Sequence, residues 1–264
     1  MSKLFIAWQN SDTREWRPVG RLTLHGKRYR FVYTKGAKKA TGFVPFGRMH
    51  DLNTIYESAE LFPLFANRVL PKNRPEYDQY LEWLNIPRGK DEPLALLSRT
   101  GGMRGTDSLM VFACPEPLDG KYLVHFFCHG ISHLPQESLR TIEELKIGTR
   151  LYLMLDIQND FDPMAVALRT EQPTVIVGYV PRYFTMDFRK LVTGATQDTV
   201  DVSVEGINRE APVQLRLLCK ISADWPKQFR ACSGTDFEPI VKARKPEKSF
   251  KKRSEELPDS SGTI

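Results

Sequence analysis

Short apolar runs separated by Gly, Pro, Asn and Asp dominate this chain, and the first of them, Leu4 to Trp8 and Pro18 to Leu24, predict neighbouring strands. After a turn at His25 and Gly26 the run Lys27 to Tyr33 alternates: Tyr29, Phe31 and Tyr33 share one face, Arg28 and Arg30 the other. This predicts a small antiparallel sheet. Two helices are expected over Ser58 to Leu70 and Arg74 to Leu84. In the second, Tyr77, Tyr80, Leu81 and Leu84 recur at helical spacing and Pro75 suits a first turn. A third short helix around Pro93 to Ser98 stops at the glycines after Thr100, and Asp107 to Ala113 reads as a strand.

From Lys121 onward the pattern is strand-rich. Strands are expected at Tyr122 to Phe127, Arg150 to Leu155, Ala165 to Leu168, Val175 to Val180, Thr199 to Val204 and Val213 to Ile221, with helical spacing over Pro135 to Leu145 and Tyr183 to Val192. The turn formers from Pro115 to Gly120 mark a junction. The expected class is therefore α+β. Residues 1–113 form a small antiparallel sheet with packed helices, 114–120 a connection, 121–226 a compact, mostly β domain with one or two short helices, and 227–264 an extension and basic tail. From Lys242 to Ile264 the chain is rich in Lys, Glu, Ser and Pro with almost no apolar anchors, so it is expected to be disordered.

A length of 264 residues with 41% hydrophobic content is enough for two real cores. No segment approaches the roughly 18 consecutive apolar residues of a membrane span, and Met1 to Ile6 leads into a strand-like run instead of a signal core. The cysteines Cys114, Cys128, Cys219 and Cys232 show neither a CxxC pair nor metal-ligand spacing. A cytoplasmic protein with no membrane partner is the expectation. The net charge of +6 is unevenly spread: residues 1–120 hold 18 Lys and Arg against 13 Asp and Glu, residues 121–226 hold 11 against 13, and residues 242–264 hold 7 against 4. Attraction to phosphate thus has to come from the N-terminal region, the tail or a local patch. From Arg14 to Lys39 there are nine Lys and Arg and one acid, interleaved with Trp16, Tyr29, Phe31 and Tyr33. That composition suits either a nucleic-acid strand, with Arg28 and Arg30 as an accessory basic surface, or a solvated sheet face over an aromatic core.

Enzymatic signatures are missing from the sequence: no GxxxxGK[ST] loop, GxSxG elbow, HExxH, or HxE followed by PCxxC. No catalytic residue and no cofactor is expected. The glycines from Gly101 to Gly105 read as a helix cap and turn in preference to a nucleotide loop. His125, His129 and His133 lie four apart, about 13 Å between neighbours on an extended strand, too far to share one zinc unless Gly130 bends the chain. Asp156, Asn159, Asp160 and Asp162 have two readings: turn formers that cap backbone amides, or oxygen ligands for a divalent ion, as in a metal-dependent nuclease.

The stretch Asn159-Asp-Phe-Asp-Pro-Met-Ala-Val166, followed by Gly178-Tyr-Val-Pro-Arg182, resembles the paired motifs of the HIRAN domain over roughly residues 121 to 222. The resemblance implies binding of single-stranded DNA, notably at 3' ends. It counts Asn159 of the bend among the nucleic-acid-binding residues and places Phe161 where an aromatic stacks on a base, Asp162 where a carboxylate meets the terminal sugar, and Arg182 where a basic group meets phosphate. Tyr179 stacks or hydrogen-bonds, and Arg189 and Lys190 are further phosphate candidates. Physically, a carboxylate accepts a hydrogen bond from a 3'-hydroxyl and repels a phosphodiester, while a stacked base is worth about 1–3 kcal/mol. Where the family carries Arg followed by aromatics after a glycine, this chain reads Gly130-Ile-Ser-His-Leu134, so Ser132 stands in place of the Arg and His133 is a partial substitute.

Residues 1 to about 113 resemble the N-terminal region of HipA-type toxin kinases, on Val19-Gly-Arg-Leu22, Tyr29-Arg-Phe-Val-Tyr33, Glu60-Leu-Phe-Pro-Leu-Phe-Ala-Asn-Arg68 and Leu94-Ala-Leu-Leu97. The kinase body is absent, with neither an HRD-type loop nor a DFG aspartate. That resemblance implies a prokaryotic docking or regulatory module whose partner is a helix-turn-helix antitoxin or a kinase in a toxin-antitoxin or defence system. The main expectation is a non-enzymatic DNA-binding protein; the docking role is the alternative.

Overall fold

The structure, a computed structural model, describes residues 3–241 apart from Thr106, Ala195 and Thr196; the tail expected to be disordered, 242–264, lies outside the described residues. In the N-terminal unit β1 (Lys3–Gln9), β2 (Trp16–His25) and β3 (Arg28–Tyr33) are followed by α1 (Lys35–Lys39), β4 (Tyr56–Ser58), α2 (Pro63–Ala66), α3 (Tyr77–Leu84), α4 (Pro93–Thr100) and β5 (Leu109–Ala113). The strands form one antiparallel sheet in the order β4-β3-β2-β1-β5. Only Pro63–Ala66 of the helix expected over Ser58 to Leu70 is helical. Ser58 is held in β4 opposite Tyr29, and Pro63, with no N–H to give, can begin a helix but not continue one.

The register aligns Leu4 with Leu22 and Leu22 with Phe31, so these side chains share a face that packs on Phe65, Leu94 and Leu97. The opposite face, carrying Phe5, Ala7, Met110 and Phe112, belongs to the core of the C-terminal unit. Both faces of the sheet are therefore covered.

The C-terminal unit comprises β6 (Lys121–Phe127), α5 (Gln136–Glu144), β7 (Arg150–Leu155), β8 (Val166–Arg169), β9 (Ile176–Tyr179), α6 (Arg182–Thr193), β10 (Asp201–Ile207) and β11 (Leu217–Asp224). The strand expected from Val213 starts later, because Val213–Leu215 forms a single 3-10 turn behind Pro212. The sheet order is β6-β11-β10-β7-β8-β9. Beyond β6 the chain turns back on the last strand: His129 and Tyr179 exchange two backbone hydrogen bonds, each 2.9 Å. The sheet thus curls until its ends meet, around a filling of Phe126, Val166, Val177, Val204 and Ile221.

Closure depends on Gly178. Its φ is 155°, and a Cβ there would lie 2.7 Å from the Cβ of Cys128, closer than side-chain atoms approach.

The two units share aromatic contacts as well as a junction. The rings of Phe112 and Tyr183 stack at 4.6 Å and 17°. After β11 the chain returns to the first sheet, where Phe237 meets Phe5 edge-on at 5.0 Å and the Ile240 N–H donates to the Tyr33 carbonyl at 2.9 Å. Residues 227–241 are accordingly a packed strap, tied down further by Asp236 to Arg17 at 3.0 Å and Glu238 to Lys35 at 2.6 Å. Gly178→Ala is expected to lower unfolding free energy by about 1–3 kcal/mol through overpacking against Cys128, read as a reduced urea midpoint.

Candidate functional site

The bend between β7 and β8 is built by side chains that answer its backbone N–H groups. Asn159 Oδ1 accepts from the N–H of Phe161 at 3.1 Å and of Asp162 at 3.0 Å, and Asp162 Oδ1 accepts from the N–H of Met164 at 2.9 Å. The Asp156 N–H donates to the Ala165 carbonyl at 3.0 Å, closing the base of the bend. These are the local turn bonds that Asn and Asp favour.

Asp156 is the hub. Its Oδ2 accepts from the Asn159 side-chain amide at 2.9 Å and from the Tyr179 hydroxyl at 3.1 Å, tying the bend to β9. Burial, and then the bond to Asp156, raises the pKa of Tyr179, so its hydroxyl remains a donor. Tyr179 is in turn held by the sheet closure and lies beside Gly130, where a Cβ would come within 3.0 Å of its ring.

With the backbone of the bend fixed, Phe161 projects into solvent, 90% exposed, so it has no packing role within the chain. Asp162 beneath it is mostly covered and pairs with Arg182, Nη1 to Oδ2 at 3.0 Å. Arg182 occupies the first position of α6, immediately after Pro181, which carries it from β9 to the foot of the bend. Together these residues place an exposed ring, a carboxylate with lone pairs to spare and a guanidinium at one location.

Of the residues expected from sequence, Asn159, Phe161, Asp162, Tyr179 and Arg182 are brought together. His133 is exposed in the 3-10 turn Ile131–His133, one turn beyond the Gly130 that touches Tyr179. Lys190 lies on α6 two turns from Arg182, exposed, with its ammonium 5.8 Å from the Phe229 ring centre. Arg189 is half-buried beside it. Arg28 and Arg30 sit elsewhere, on β3, both directed at Glu57; the Arg30 pair closes to 2.6 Å. The three histidines do not converge: His125 approaches Glu205 at 4.0 Å on the β6 side, and His129 is half-buried, its pKa lowered to about 4 by desolvation. An uncharged His129 adds no attraction for an anion. Among the described residues no group of three or more His, Cys, Asp or Glu is placed to hold a metal ion, and the carboxylates at 156 and 162 serve the turn. No helix among them is long and apolar enough to cross a membrane.

A groove of about 380 Å³ opens next to the bend. Met164 and Arg182 line it on the side of the candidate site, Met186 and Lys190 continue along α6, and Trp16 and Arg17 of β2 form the facing wall. Sequence reasoning singled out Lys190 and Trp16 separately but not the groove, nor the hub role of Asp156. The i, i+4, i+8 spacing of Arg182, Met186 and Lys190 was the available signal for the α6 ridge.

Geometry of this kind, a curled antiparallel sheet with an Asn- and Asp-built bend against a Gly-Tyr-Val-Pro-Arg strand end, defines a small β module carrying its site at the sheet closure. Residues 121–226 match the family model of the HIRAN domain, and the C-terminal unit is a HIRAN domain. Among solved structures, a protein from Lactobacillus plantarum is 18% identical with a TM-score of 0.31, over 39% of this chain and 97% of that one. The HIRAN domain of human HLTF is 10% identical with a TM-score of 0.28, over 39% of this chain and 73% of that one. No curated protein matches. These comparisons lend no support to the HipA-type resemblance of residues 1–113.

Under the groove, Asp187 is buried and takes a hydrogen bond from the Tyr122 hydroxyl at 3.4 Å. Burial raises its pKa from 3.8 to about 6, against the opposing pull of Lys190 and the Tyr122 bond. Because the folded state holds this proton more tightly than the unfolded chain, Asp187 lowers stability increasingly as pH rises from about 4 to about 6. Asp187→Asn is expected to unfold at higher temperature than the parent at pH 7, by on the order of 2 kcal/mol, with the difference vanishing below pH 4 in thermal scans.

Proposed function

We propose that this protein binds single-stranded DNA non-enzymatically and recognises its 3' end at the bend of the HIRAN domain. The single observation that carries the reading is the pairing of a ring left in solvent, Phe161, with a shielded carboxylate, Asp162, at its base. Membership of residues 121–226 in the HIRAN family supports nucleic acid as the partner class. The terminal base stacks on Phe161. The 3'-hydroxyl donates to Asp162, whose partner Arg182 also meets the adjoining phosphate. A strand that continues beyond this point brings a second phosphate against the carboxylate and is repelled, so the same side chain that accepts an end rejects an interior.

Ser132, in the position of the family's Arg, removes one phosphate contact, and His133 offers a ring without a fixed charge. Affinity therefore rests on stacking and Arg182. Geometry in residues 1–113 offers no observation that favours the docking role over this one.

The test is equilibrium binding to oligonucleotides with free and phosphorylated 3' ends at a stated salt concentration. Free ends should bind more tightly, and equal, negligible binding to both would eliminate the reading. Phe161→Ala should weaken free-end binding about 5- to 150-fold, the loss of one stacked base, with no change in melting temperature. Asp162→Asn should bring the affinities for the two ends together. Arg182→Gln should weaken both and reduce the slope of log affinity against log salt by about 0.7.

A further inference from the structure

The groove beside the bend is not part of the HIRAN sheet alone, since it is lined by α6, by Trp16 and Arg17 of the N-terminal unit and by Cys232 and Phe237 of the strap. Its two ends differ. At one end it reaches Met164 and Arg182, the residues that follow and pair with Asp162; away from there it runs along α6 toward Lys190. Arg182, Met186 and Lys190 form one ridge of that helix, about 12 Å long at 1.5 Å per residue. The ridge alternates basic, apolar, basic. Met186 is 53% exposed although it faces a concave surface, and Trp16 across the groove is only half-buried, so both offer apolar area to an occupant.

Charge narrows the occupant. Arg17 is neutralised on the wall by Glu15 at 2.6 Å and Asp236 at 3.0 Å. Lys190, by contrast, forms no ion pair within 4 Å among the described residues; its ammonium lies over the face of Phe229 and is felt by the buried Asp187 beneath the groove, which leaves it open to a further anion. A ligand suited to this ridge carries spaced anionic groups with flat apolar groups between them, and it begins where the end site stops. Those are the properties of a polynucleotide strand.

Resting on the end-binding reading above, we propose that the groove between α6 and β2 holds the nucleotides on the 5' side of the terminal two, with the last phosphate on Arg182, an earlier one on Lys190 and an earlier base against Met186 and Trp16. The N-terminal unit is then part of the binding surface through its Trp16 wall, and its Arg28 and Arg30 are not. The chain consequently reads a short length of single strand as well as its end.

Affinities of thymidine dinucleotides and hexanucleotides with free 3' ends, measured on the full chain, test this. The hexanucleotide should bind at least roughly tenfold more tightly than the dinucleotide, the gain of about one further stacked base. Met186→Glu and Lys190→Gln, both at exposed positions, should each cut hexanucleotide affinity about fivefold or more and leave the dinucleotide within twofold. Equal affinity for the two lengths overturns the inference. So does hexanucleotide affinity unchanged in both groove variants while Phe161→Ala still weakens both lengths, a result that spares the end site. Phe161→Ala without effect on either length removes the end site, and the groove inference with it.

Discussion

The reciprocal backbone pair between His129 and Tyr179 is the contact on which the candidate site depends. Each bond contributes only about 1 kcal/mol net, but leaving buried donors and acceptors unmatched costs more, so the ends of the sheet are committed to meeting. Their meeting fixes Tyr179, whose hydroxyl fixes Asp156, which with Asn159 fixes the bend. The chain leaving Tyr179 passes through Val180 and Pro181 directly into α6, so the same closure delivers Arg182 to Asp162. A site assembled from two loops thereby inherits the rigidity of a ladder. Phe161 is left free of internal duties, and solvent exposure of a phenyl ring becomes available for stacking.

The second constraint is that the N-terminal sheet has no spare face. Helices cover Leu4, Leu22 and Phe31, and the HIRAN domain covers Phe5 and Phe112. The Phe112 and Tyr183 stack joins the sheet to the first turn of α6, one residue from Arg182. Thus the position of the basic group at the site depends on packing of Phe112, 70 residues upstream of it in sequence. The strap 227–241, anchored by Phe237 and by Asp236 between Arg17 and Lys39, closes the same seam and lines the groove with Cys232 and Phe237.

Local chemistry was legible in the sequence, and long-range geometry was not. Alternation in Tyr29, Phe31 and Tyr33 located β3 and its buried face, and the Asn and Asp residues of 156–162 announced a bend because their bonds span only two or three residues. The motif pair brought Asp162 and Arg182 to attention together. Neither α1 nor β4 carries a local signal: Lys35–Lys39 spans barely a turn and a half, and Tyr56–Ser58 is a strand only because β3 offers it an edge. Apolar spacing over Ser58 to Leu70 mimics a long helix but serves loop packing around Pro63. The groove is not legible in the sequence because Trp16 and Lys190 are brought to it by the shared core, which no local pattern encodes. In the same way, nine basic residues between Arg14 and Lys39 suggested a charged surface, yet Arg17, Arg30, Lys35 and Lys39 are each spent on a carboxylate.

The most direct measurement is photocrosslinking with a single-stranded oligonucleotide carrying 5-iodouridine as its 3'-terminal nucleotide, followed by mass spectrometry of the adduct. An end held on the bend should place the adduct on Phe161 and lose it when the 3' terminus is phosphorylated. An adduct confined to the strand bearing Arg28 and Arg30, or one indifferent to the terminal phosphate, would contradict the account.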